Sequence, residues 1–128
     1  MTSGPGVPIF AAMTTASETI RAAVSAWAGM SEAPHRFGGV EFLFGKREIG
    51  HLHGNVLLDV PFPRKVRDEL VAAGSAEPHH VLPQSGWISF RIRKPADADS
   101  AVALLRKSYD LVNEQIDRRK AQSKAARA

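Results

Sequence analysis

The chain has 128 residues, no cysteine and a formal net charge of +4, and its length suits one domain with a modest hydrophobic core. Without cysteine, a disulfide framework, a thiolate zinc site and a cysteine nucleophile are all excluded. No apolar run approaches the roughly 18 residues of a membrane span, and no Lys or Arg precedes Arg21, as the start of a signal peptide would require. We therefore expect a cytoplasmic protein with no membrane partner.

The positive charge is concentrated at the C-terminus. Five basic residues and no acidic residue lie in the last eleven positions, namely Arg118, Arg119, Lys120, Lys124 and Arg127. Without them, 12 basic residues remain against 13 acidic ones, so the rest of the chain is close to neutral. Two interpretations stay open for residues 118–128: a solvated, frayed helix end, or a flexible basic tail that contacts nucleic acid.

The N-terminal part of the chain predicts one disordered segment and one helix. Residues 1–13 are rich in Gly, Pro and small residues, and we expect them to be disordered. Thr15, followed three positions later by Glu18, is typical of a capping box at a helix start. The helix carries one apolar stripe, formed by Ile20, Val24 and Trp27. It ends at Gly29, and the connector that follows contains His35, to which we assign no role.

Residues 39–60 predict a meander of three short antiparallel strands. The strands cover 40–44, 47–53 and 56–60, and two-residue loops with a leading glycine separate them. If both loops have two residues, Phe42 lies opposite Ile49 and His51 lies opposite Leu58. This register assigns every side chain of the meander to one of two faces, because strand side chains alternate.

The predicted register separates the histidines of the meander from its carboxylates. His51 and His53 lie on the apolar face, whereas Glu41 and Asp59 lie on the other face and flank Gly50. A glycine between two carboxylates would leave a small pocket floor, and the alternative is a bulge or a helix packed against Gly50. A metal site that joined these histidines to these carboxylates would require a bulge or a different turn, since a one-residue slip exchanges the faces.

The second half of the chain completes the predicted fold. After a break at Pro61-Phe62-Pro63, the pattern predicts a helix over 64–73, an edge strand over 76–82, a strand over 87–93 and a last helix from Asp97 or Asp99 to Asp117. Strands grouped apart from helices predict an α+β class. We expect one domain over residues 14–117: a two-layer sandwich of a four- or five-stranded antiparallel sheet with helices on one face.

Two groups of residues are candidates for chemistry. His51 and His53 point to the same side of a strand, with Cβ atoms about 7 Å apart. The adjacent pair His79-His80 could supply a third metal ligand, because one of the two must face the inner side of the sheet. The alternatives are structural histidines bonded to the backbone, or a metal-free ligand or acid–base site. Trp87 and Arg91 share a strand face on which a planar ligand could stack, although covering a neighbouring strand is the commoner role of such a tryptophan.

Three segments together resemble the bacterial luciferase-like domain family, small proteins named for the domain of fungal luciferases. They are EIGHLHG at residues 48–54, DVPFPRKVRDELVAAG from Asp59 and EPHHVLPQSGWISFRIRKP from Glu77. The resemblance covers about residues 37–112. The fungal enzymes oxidise a hydroxylated styrylpyrone with molecular oxygen and need no metal or flavin. The resemblance carries functional roles over to Glu48, His51, His53, Asp59, His80 and the Ser85-Gly86-Trp87 turn.

We predict a protein that binds a small planar hydroxylated organic molecule; if it is an enzyme, the resemblance implies a cofactor-independent, oxygenase-like oxidoreductase. The predicted catalytic residues are His51, His53 and His80. The predicted ligand-binding residues are Glu41, Glu48, Asp59, Ser85, Trp87 and Arg91. Neutral imidazoles, whose ordinary pKa is about 6.5, would accept a proton from a phenolic or enolic ligand. No cofactor is predicted, and a metal ion at the three histidines is the alternative.

A second resemblance supports a different class of function. SGWISFRI at residues 85–92, followed by LLRKSYDLV at residues 104–112, is similar to YjbR-type proteins, which are often described as DNA-binding. This similarity covers about thirty residues. It implies a nucleic-acid or protein interaction module that would use the basic tail, residues 118–128, and the open face of the sheet.

Overall fold

The structure, a computed structural model, describes residues 14–127, so the predicted disordered segment 1–13 lies outside the described residues. Over these residues the chain forms three α-helices and six strands. In chain order they are α1 (Ala16–Ser25), β1 (Met30–His35), β2 (Gly39–Phe44), β3 (Arg47–His53), β4 (Leu57–Pro61), α2 (Arg64–Ala72), β5 (Glu77–Pro78), β6 (Trp87–Arg91) and α3 (Asp97–Arg127). A short 3₁₀ turn, Arg36–Gly38, joins β1 to β2.

The strands form a single sheet in the order β1-β2-β3-β4-β6-β5, and every neighbouring pair is antiparallel. Helix α3 packs over β3 and β4 and against α1, whereas α2 contacts β5 and β6. The predicted α+β class with an antiparallel sheet is thus confirmed, with six strands in place of four or five. The additional strand is β1, which was predicted as a connector. It lies at the edge of the sheet, and its buried and exposed residues do not alternate, so no strand pattern is visible in the sequence. An edge strand also tolerates Pro34.

The hydrophobic core lies between the sheet and the helices. Its fully buried apolar side chains include Ile20, Val24, Phe42, Ile49, Leu52, Leu58, Val60, Ile88 and Leu105. The predicted capping box begins α1: the Thr15 hydroxyl accepts from the Glu18 N–H, and the Glu18 carboxylate accepts from the Thr15 N–H. At the other end of α1, the Tyr109 hydroxyl donates to the Ala28 carbonyl at 2.7 Å and ties α3 to the chain there.

The first hairpin contains a β-bulge that the two-residue loop alone does not predict. The register shifts between Phe42 and Leu43, so Phe42 lies opposite Gly50 instead of Ile49. The bulge lets both Ile49 and Leu52 be buried, although three positions separate them and a regular strand would direct them to opposite faces. Strict alternation would instead have placed two imidazoles among the apolar side chains, where unpaired polar groups are costly.

The second hairpin has a three-residue loop, so the predicted pairing of His51 with Leu58 is wrong and His51 lies opposite Asp59. The additional loop residue is Val56, which was predicted to begin the third strand and is 63% exposed. The longer loop brings the Asn55 side chain to the start of α1, where its carbonyl oxygen accepts from the Ser17 N–H at 2.8 Å. Together, the bulge and the loop place the histidines of β3 on the same face as Glu41 and Asp59.

Gly50 lies under a helix, which was the alternative to a pocket floor. A Cβ atom at this position would lie 2.6 Å from Cδ2 of Leu105, so α3 approaches the sheet closely here. The residue between Glu41 and Asp59 across the sheet is His51 instead. Predicting Gly50 between the two carboxylates was therefore wrong, and the reason is the register of β3.

The later elements differ from prediction mainly at their ends. The edge strand predicted over 76–82 shortens to Glu77–Pro78, and the strand predicted over 87–93 ends at Arg91. Helix α3 continues from Asp117, where the apolar pattern fades, to Arg127, with residues 117–127 exposed. Ala, Gln, Lys and Arg dominate this extension, and they favour helix without any apolar stripe. Over residues 14–127, no helix combines the length and apolar character that crossing a bilayer requires.

Candidate functional site

All five histidines of the chain gather on the sheet face opposite to α3. His35 comes from β1, His51 and His53 from β3, and His79 and His80 from the loop after β5. We call these five residues, together with Asp59 of β4, the histidine cluster. Four of the five rings direct a nitrogen at the Asp59 carboxylate, so this carboxylate is the centre of the cluster.

Asp59 is fully buried and lies on β4, an interior strand of the sheet. Its Oδ2 atom lies 3.1 Å from each Nε2 of His51, His53 and His80, and 3.5 Å from Nε2 of His79. Its Oδ1 atom accepts a hydrogen bond of 2.7 Å from the Ser89 hydroxyl. Sheet pairing causes this arrangement, because His51 and Ser89 lie directly beside Asp59 on the two neighbouring strands.

The Asp59 carboxyl group is ionised in this surrounding. Burial alone would raise its pKa, because the charged form loses hydration. Hydrogen bonds from His51, Ser89 and His80 outweigh that effect and hold the pKa of Asp59 well below its usual range. A buried carboxylate with this many donors is a fixed negative charge, and it orders the rings around it.

His51 is enclosed by other members of the cluster and their neighbours. Its ring stacks on His35 with centroids 4.0 Å apart, and Trp87 covers it at 5.2 Å. Its Nδ1 lies 2.6 Å from an oxygen of Glu48. Burial lowers the pKa of His51, but hydrogen bonds to Asp59 and Glu48 outweigh burial and raise the pKa to about 9. These surroundings favour the protonated form of His51, whereas a neutral proton acceptor was expected from the sequence.

His79 is held as a neutral ring by the loop that carries it. Its Nδ1 accepts from the backbone N–H groups of Val81 at 3.1 Å and Leu82 at 2.9 Å, so this nitrogen bears no proton. The neutral ring then carries its proton on Nε2, which faces Asp59. Burial lowers the pKa of His79, and the nearby His80 and His51 lower it further against the opposing effect of Asp59. His79 thus acts as an N–H donor to the carboxylate.

A solvent-open cleft of about 390 Å³ lies over the histidine cluster. Its polar floor is the cluster itself, and Trp87 forms part of its wall. Two exposed apolar side chains line the same cleft, Val81 at 66% and Leu82 at 52% relative exposure. A charged floor beneath an apolar rim suits a ligand with one polar edge and one apolar face.

The structure brings together six of the nine residues predicted for the site. His51, His53, His80, Glu48, Asp59 and Trp87 all line the cleft, with the buried Asp59 at its floor. Ser85 shapes the loop: its hydroxyl donates to the Leu82 carbonyl and accepts from the Trp87 N–H.

The other two predicted residues lie beside the lining. Glu41 lies behind it and bonds to Nδ1 of His35 at 3.3 Å. Arg91 pairs with Glu77 at 3.4 Å and is not part of the lining.

Two residues of the site, His35 and Ser89, were not predicted to belong to it, and His79 was considered only as one of an adjacent pair that could supply a third ligand. His35 lies on an edge strand that lacks an alternating pattern, so the sequence carried no signal for it. The adjacent pair His79-His80 did carry one, because a loop can direct both rings of such a pair at one carboxylate. Ser89 alternates with Trp87 and Arg91 on β6, and that alternation places its hydroxyl on the site face.

The cluster contains two sets of side chains that could hold a metal ion. They are His51, His53 and Asp59, and Asp59, His79 and His80, and within each set the ligand atoms lie within 4.8 Å of one another. Asp59 belongs to both sets. The donors are imidazole nitrogens and a carboxylate oxygen, a combination typical of transition-metal sites.

The comparison with protein families identifies the segment that carries most of this site. Residues 46–108 match the family model described as Luciferase domain, and they include Asp59 and every histidine of the cluster except His35. Neither the curated proteins nor the solved structures gave a match. Residues 46–108 are thus similar to the luciferase domain family, in agreement with the resemblance seen in the sequence.

Proposed function

We propose that the cleft over the histidine cluster binds a small planar hydroxylated organic molecule. One observation carries the proposal: the same cleft joins a charged, hydrogen-bonding floor to an aromatic wall and an exposed apolar rim. Its volume of about 390 Å³ lies within the usual range for small-molecule sites. Exposed Val81 and Leu82 offer apolar surface that a flat ring would remove from water.

The polar edge of such a molecule would meet His53 and His80. These rings have the more exposed side chains among those bonded to Asp59, at 27% and 36%. Both rings are fixed through Nε2 by the carboxylate, so their other edges can bond to a ligand hydroxyl without first losing rotamer freedom. Such preorganisation favours binding because less conformational entropy is lost.

The proposal extends to oxidation of the bound molecule by O₂. The match to the luciferase domain supports this extension, since the resemblance implies an oxidation by O₂ that needs no metal or flavin. The floor of the cleft would hold the hydroxylated edge of the ligand, and the open mouth would admit oxygen. Oxygen uptake in mixtures of protein and ligand measures this step directly.

Binding can be tested through the fluorescence of Trp87. In a Trp27→Phe background, Trp87 is the only tryptophan, since the chain has two. Titration with a hydroxylated styrylpyrone should quench its emission in a saturable way. His53→Ala and His80→Ala should each weaken the affinity about tenfold, the effect of losing one hydrogen bond worth about 1.4 kcal/mol.

The matched control is Arg91→Gln, on the same strand as Trp87 but paired with Glu77 outside the lining. This variant should bind as the parent does. Quenching that never saturates, or equal affinities for the parent, His53→Ala and His80→Ala, would exclude the cleft as the binding site. Oxygen uptake that is independent of His53 and His80 would exclude the oxidation.

A second candidate function rests on the end of α3. Residues 118–127 continue this helix, are all exposed, and carry five basic side chains without an acidic one. A helix with such charge would bind nucleic-acid phosphates by releasing counterions. We propose this function only for the helix end, because the rest of the chain is nearly neutral.

A further inference from the structure

We propose that His51, His53 and Asp59 bind a divalent first-row transition-metal ion, with His80 as a fourth ligand. Neither the family match nor the resemblance to fungal luciferases implies a metal. The inference stands apart from the proposed organic ligand, because it rests on the geometry of the floor and not on the apolar rim. Four observations support it.

The first observation is the convergence of the donor atoms. His51 and His53 alternate on β3, and Asp59 lies directly opposite His51 on β4. Their Nε2 atoms each lie 3.1 Å from Oδ2 of Asp59, and the three donors lie within 4.8 Å of one another. An ion held at about 2.0–2.2 Å from each donor needs donor atoms about 3–3.5 Å apart. Two paired strands hold the three side chains, so the site is preorganised.

The second observation is the orientation of the His51 ring. Glu48 lies 2.6 Å from Nδ1, and because a carboxylate only accepts, Nδ1 must carry a proton there. Nε2 and the anionic oxygen of Asp59 then need a cation between them. In the metal-free protein this cation is a proton on Nε2, and a metal ion would take the place of that proton. A carboxylate behind the other ring nitrogen is the usual outer partner of metal-binding histidines, since it fixes the tautomer and raises ligand basicity.

The third observation is the number of nitrogen atoms around Oδ2 of Asp59. Three Nε2 atoms lie at 3.1 Å, and that of His79 lies at 3.5 Å. A carboxylate oxygen has about two lone-pair sites, so it cannot accept a good hydrogen bond from every ring. A metal ion relieves this excess, because nitrogen lone pairs then bind the cation and no longer compete for one oxygen.

The fourth observation distinguishes the two histidines of the loop. His79 accepts two backbone N–H groups at Nδ1, so its Nε2 keeps a proton and cannot bind a metal ion. His80 has no such constraint on Nδ1 among the described residues. Its own backbone N–H donates to the Ser89 hydroxyl, which in turn donates to Asp59. The closely grouped donors are His51, His53 and Asp59. His80, whose Nε2 lies 3.1 Å from Oδ2 of Asp59, would move towards a bound ion as the fourth ligand, with His79 as a supporting donor.

The donor set indicates the class of metal. Three imidazole nitrogens and one carboxylate oxygen suit Zn²⁺, Co²⁺, Ni²⁺, Cu²⁺ or Fe²⁺, whereas Mg²⁺ and Ca²⁺ prefer sets made mostly of oxygen. The chain has no cysteine, so no thiolate competes for the ion. Zn²⁺ and Co²⁺ are therefore suitable probes: Zn²⁺ for affinity, and Co²⁺ for coordination, because its visible absorption depends on geometry.

The test uses the full chain without an affinity tag, freed of metal by chelation and dialysis. Calorimetric titration with Zn²⁺ alone should give one ion per chain, and Co²⁺ alone should develop visible absorption with the same stoichiometry. His53→Ala and His80→Ala should each weaken Zn²⁺ binding at least tenfold. Glu48→Ala, which removes the outer partner of His51, should weaken it about 10–100-fold. Circular dichroism and unfolding curves establish that each variant is folded.

The matched control is His35→Phe, which keeps a flat ring against His51 but removes an imidazole that is not bonded to Asp59. This variant should bind Zn²⁺ as the parent does. The inference is overturned if the parent does not bind one ion, if His53→Ala binds equally well, or if His35→Phe loses as much affinity as His53→Ala. No organic ligand is present, so failure here leaves the ligand proposal standing, and the fluorescence titration can fail without affecting this result.

Discussion

Asp59 holds its position through bonds to side chains from three separate segments of the chain. His51 and His53 come from β3, His80 from the loop after β5, and Ser89 from β6. The carboxylate is fully buried, so its negative charge is stable only because these donors replace water. Removing the charge leaves the donors in place without an anionic partner.

Asp59→Asn should therefore destabilise the metal-free protein by about 3 kcal/mol. Loss of one partner from a buried charged network typically costs about 3–5 kcal/mol, and asparagine retains part of the hydrogen bonding. Urea unfolding at neutral pH measures the change. Asp110→Asn is the control: Asp110 forms an exposed pair with Arg106 on α3, and such pairs contribute about 0.3–0.5 kcal/mol. Equal effects of the two substitutions would contradict the role given to Asp59.

The pKa of His51 predicts how the stability of the metal-free protein depends on pH. Its folded pKa of about 9 lies above the ordinary value of 6.5, so its contribution is full below pH about 6.5 and is lost as pH rises towards 9. The pKa of Asp59 is lowered, so its contribution is present above its ordinary value and is lost as pH falls through the folded one. Stability from this pair is therefore greatest between about pH 4 and 6.5.

Between pH 6.5 and 9 we expect the free energy of unfolding to fall by on the order of 2 kcal/mol. Urea unfolding in the presence of chelator, at several pH values in this range, measures the slope. His51→Gln should flatten it, because the titrating group is gone. A slope that persists in His51→Gln would assign the dependence to another group.

At the level of elements, strand β3 explains what the sequence could predict about the site and what it could not. Alternation correctly placed His51 and His53 on one face of β3, and Glu48, which the resemblance singled out, lines the same cleft. The prediction that these histidines share a face with the apolar side chains was wrong, because the register was counted for strands without a bulge and for loops of two residues. Ile49 and Leu52 are both buried, and their spacing of three is the signal for the bulge in this strand.

Edge and loop residues were harder to predict for a physical reason. None of the side chains of β1 is fully buried, so buried and exposed positions do not alternate along it and its sequence shows no strand pattern. The position of His79 depends on two backbone N–H groups that follow it in its own loop. Side-chain bonds to local backbone are decided by loop geometry and not by periodicity, so the chain order alone did not reveal them.

Helix α3 extends beyond the core, and this predicts that its end can be removed without loss of fold. Residues 118–127 are all exposed, so deleting residues 118–128 should change the free energy of unfolding by less than about 0.5 kcal/mol. Thermal unfolding of the shortened chain measures this. A large loss of stability would mean that the helix end packs against part of the molecule.

The same helix end tests the second candidate function. If it binds DNA, affinity at low salt should decrease in the shortened chain, and the dependence of affinity on salt should become less steep. A full-length chain whose five terminal basic residues are changed to glutamine separates charge from length, since glutamine also favours helix. Full-length protein that shows no DNA binding at low salt would exclude this function.

At the scale of the whole molecule, the sheet separates the hydrophobic core from the site. Gly50 and Leu105 meet on the helix side. The histidine cluster lies on the other side, where β1, Trp87 and the loop after β5 border it. β3 and β4 carry residues of both, with Leu52 and Leu58 in the core and His51 and Asp59 in the site. A bond formed in the site therefore stabilises the two strands that also support the core.

Metal binding should for this reason raise the stability of the entire domain. An ion that binds only the folded chain adds about 2.7 kcal/mol when its free concentration is 100 times Kd, which corresponds to an increase of several degrees in Tm for a domain of this size. Thermal unfolding with and without Zn²⁺ measures the shift, and addition of chelator should reverse it. His53→Ala should show little increase at the same Zn²⁺ concentration, whereas His35→Phe should show the full one. An equal increase in all three proteins would place the stabilising ion outside the histidine cluster.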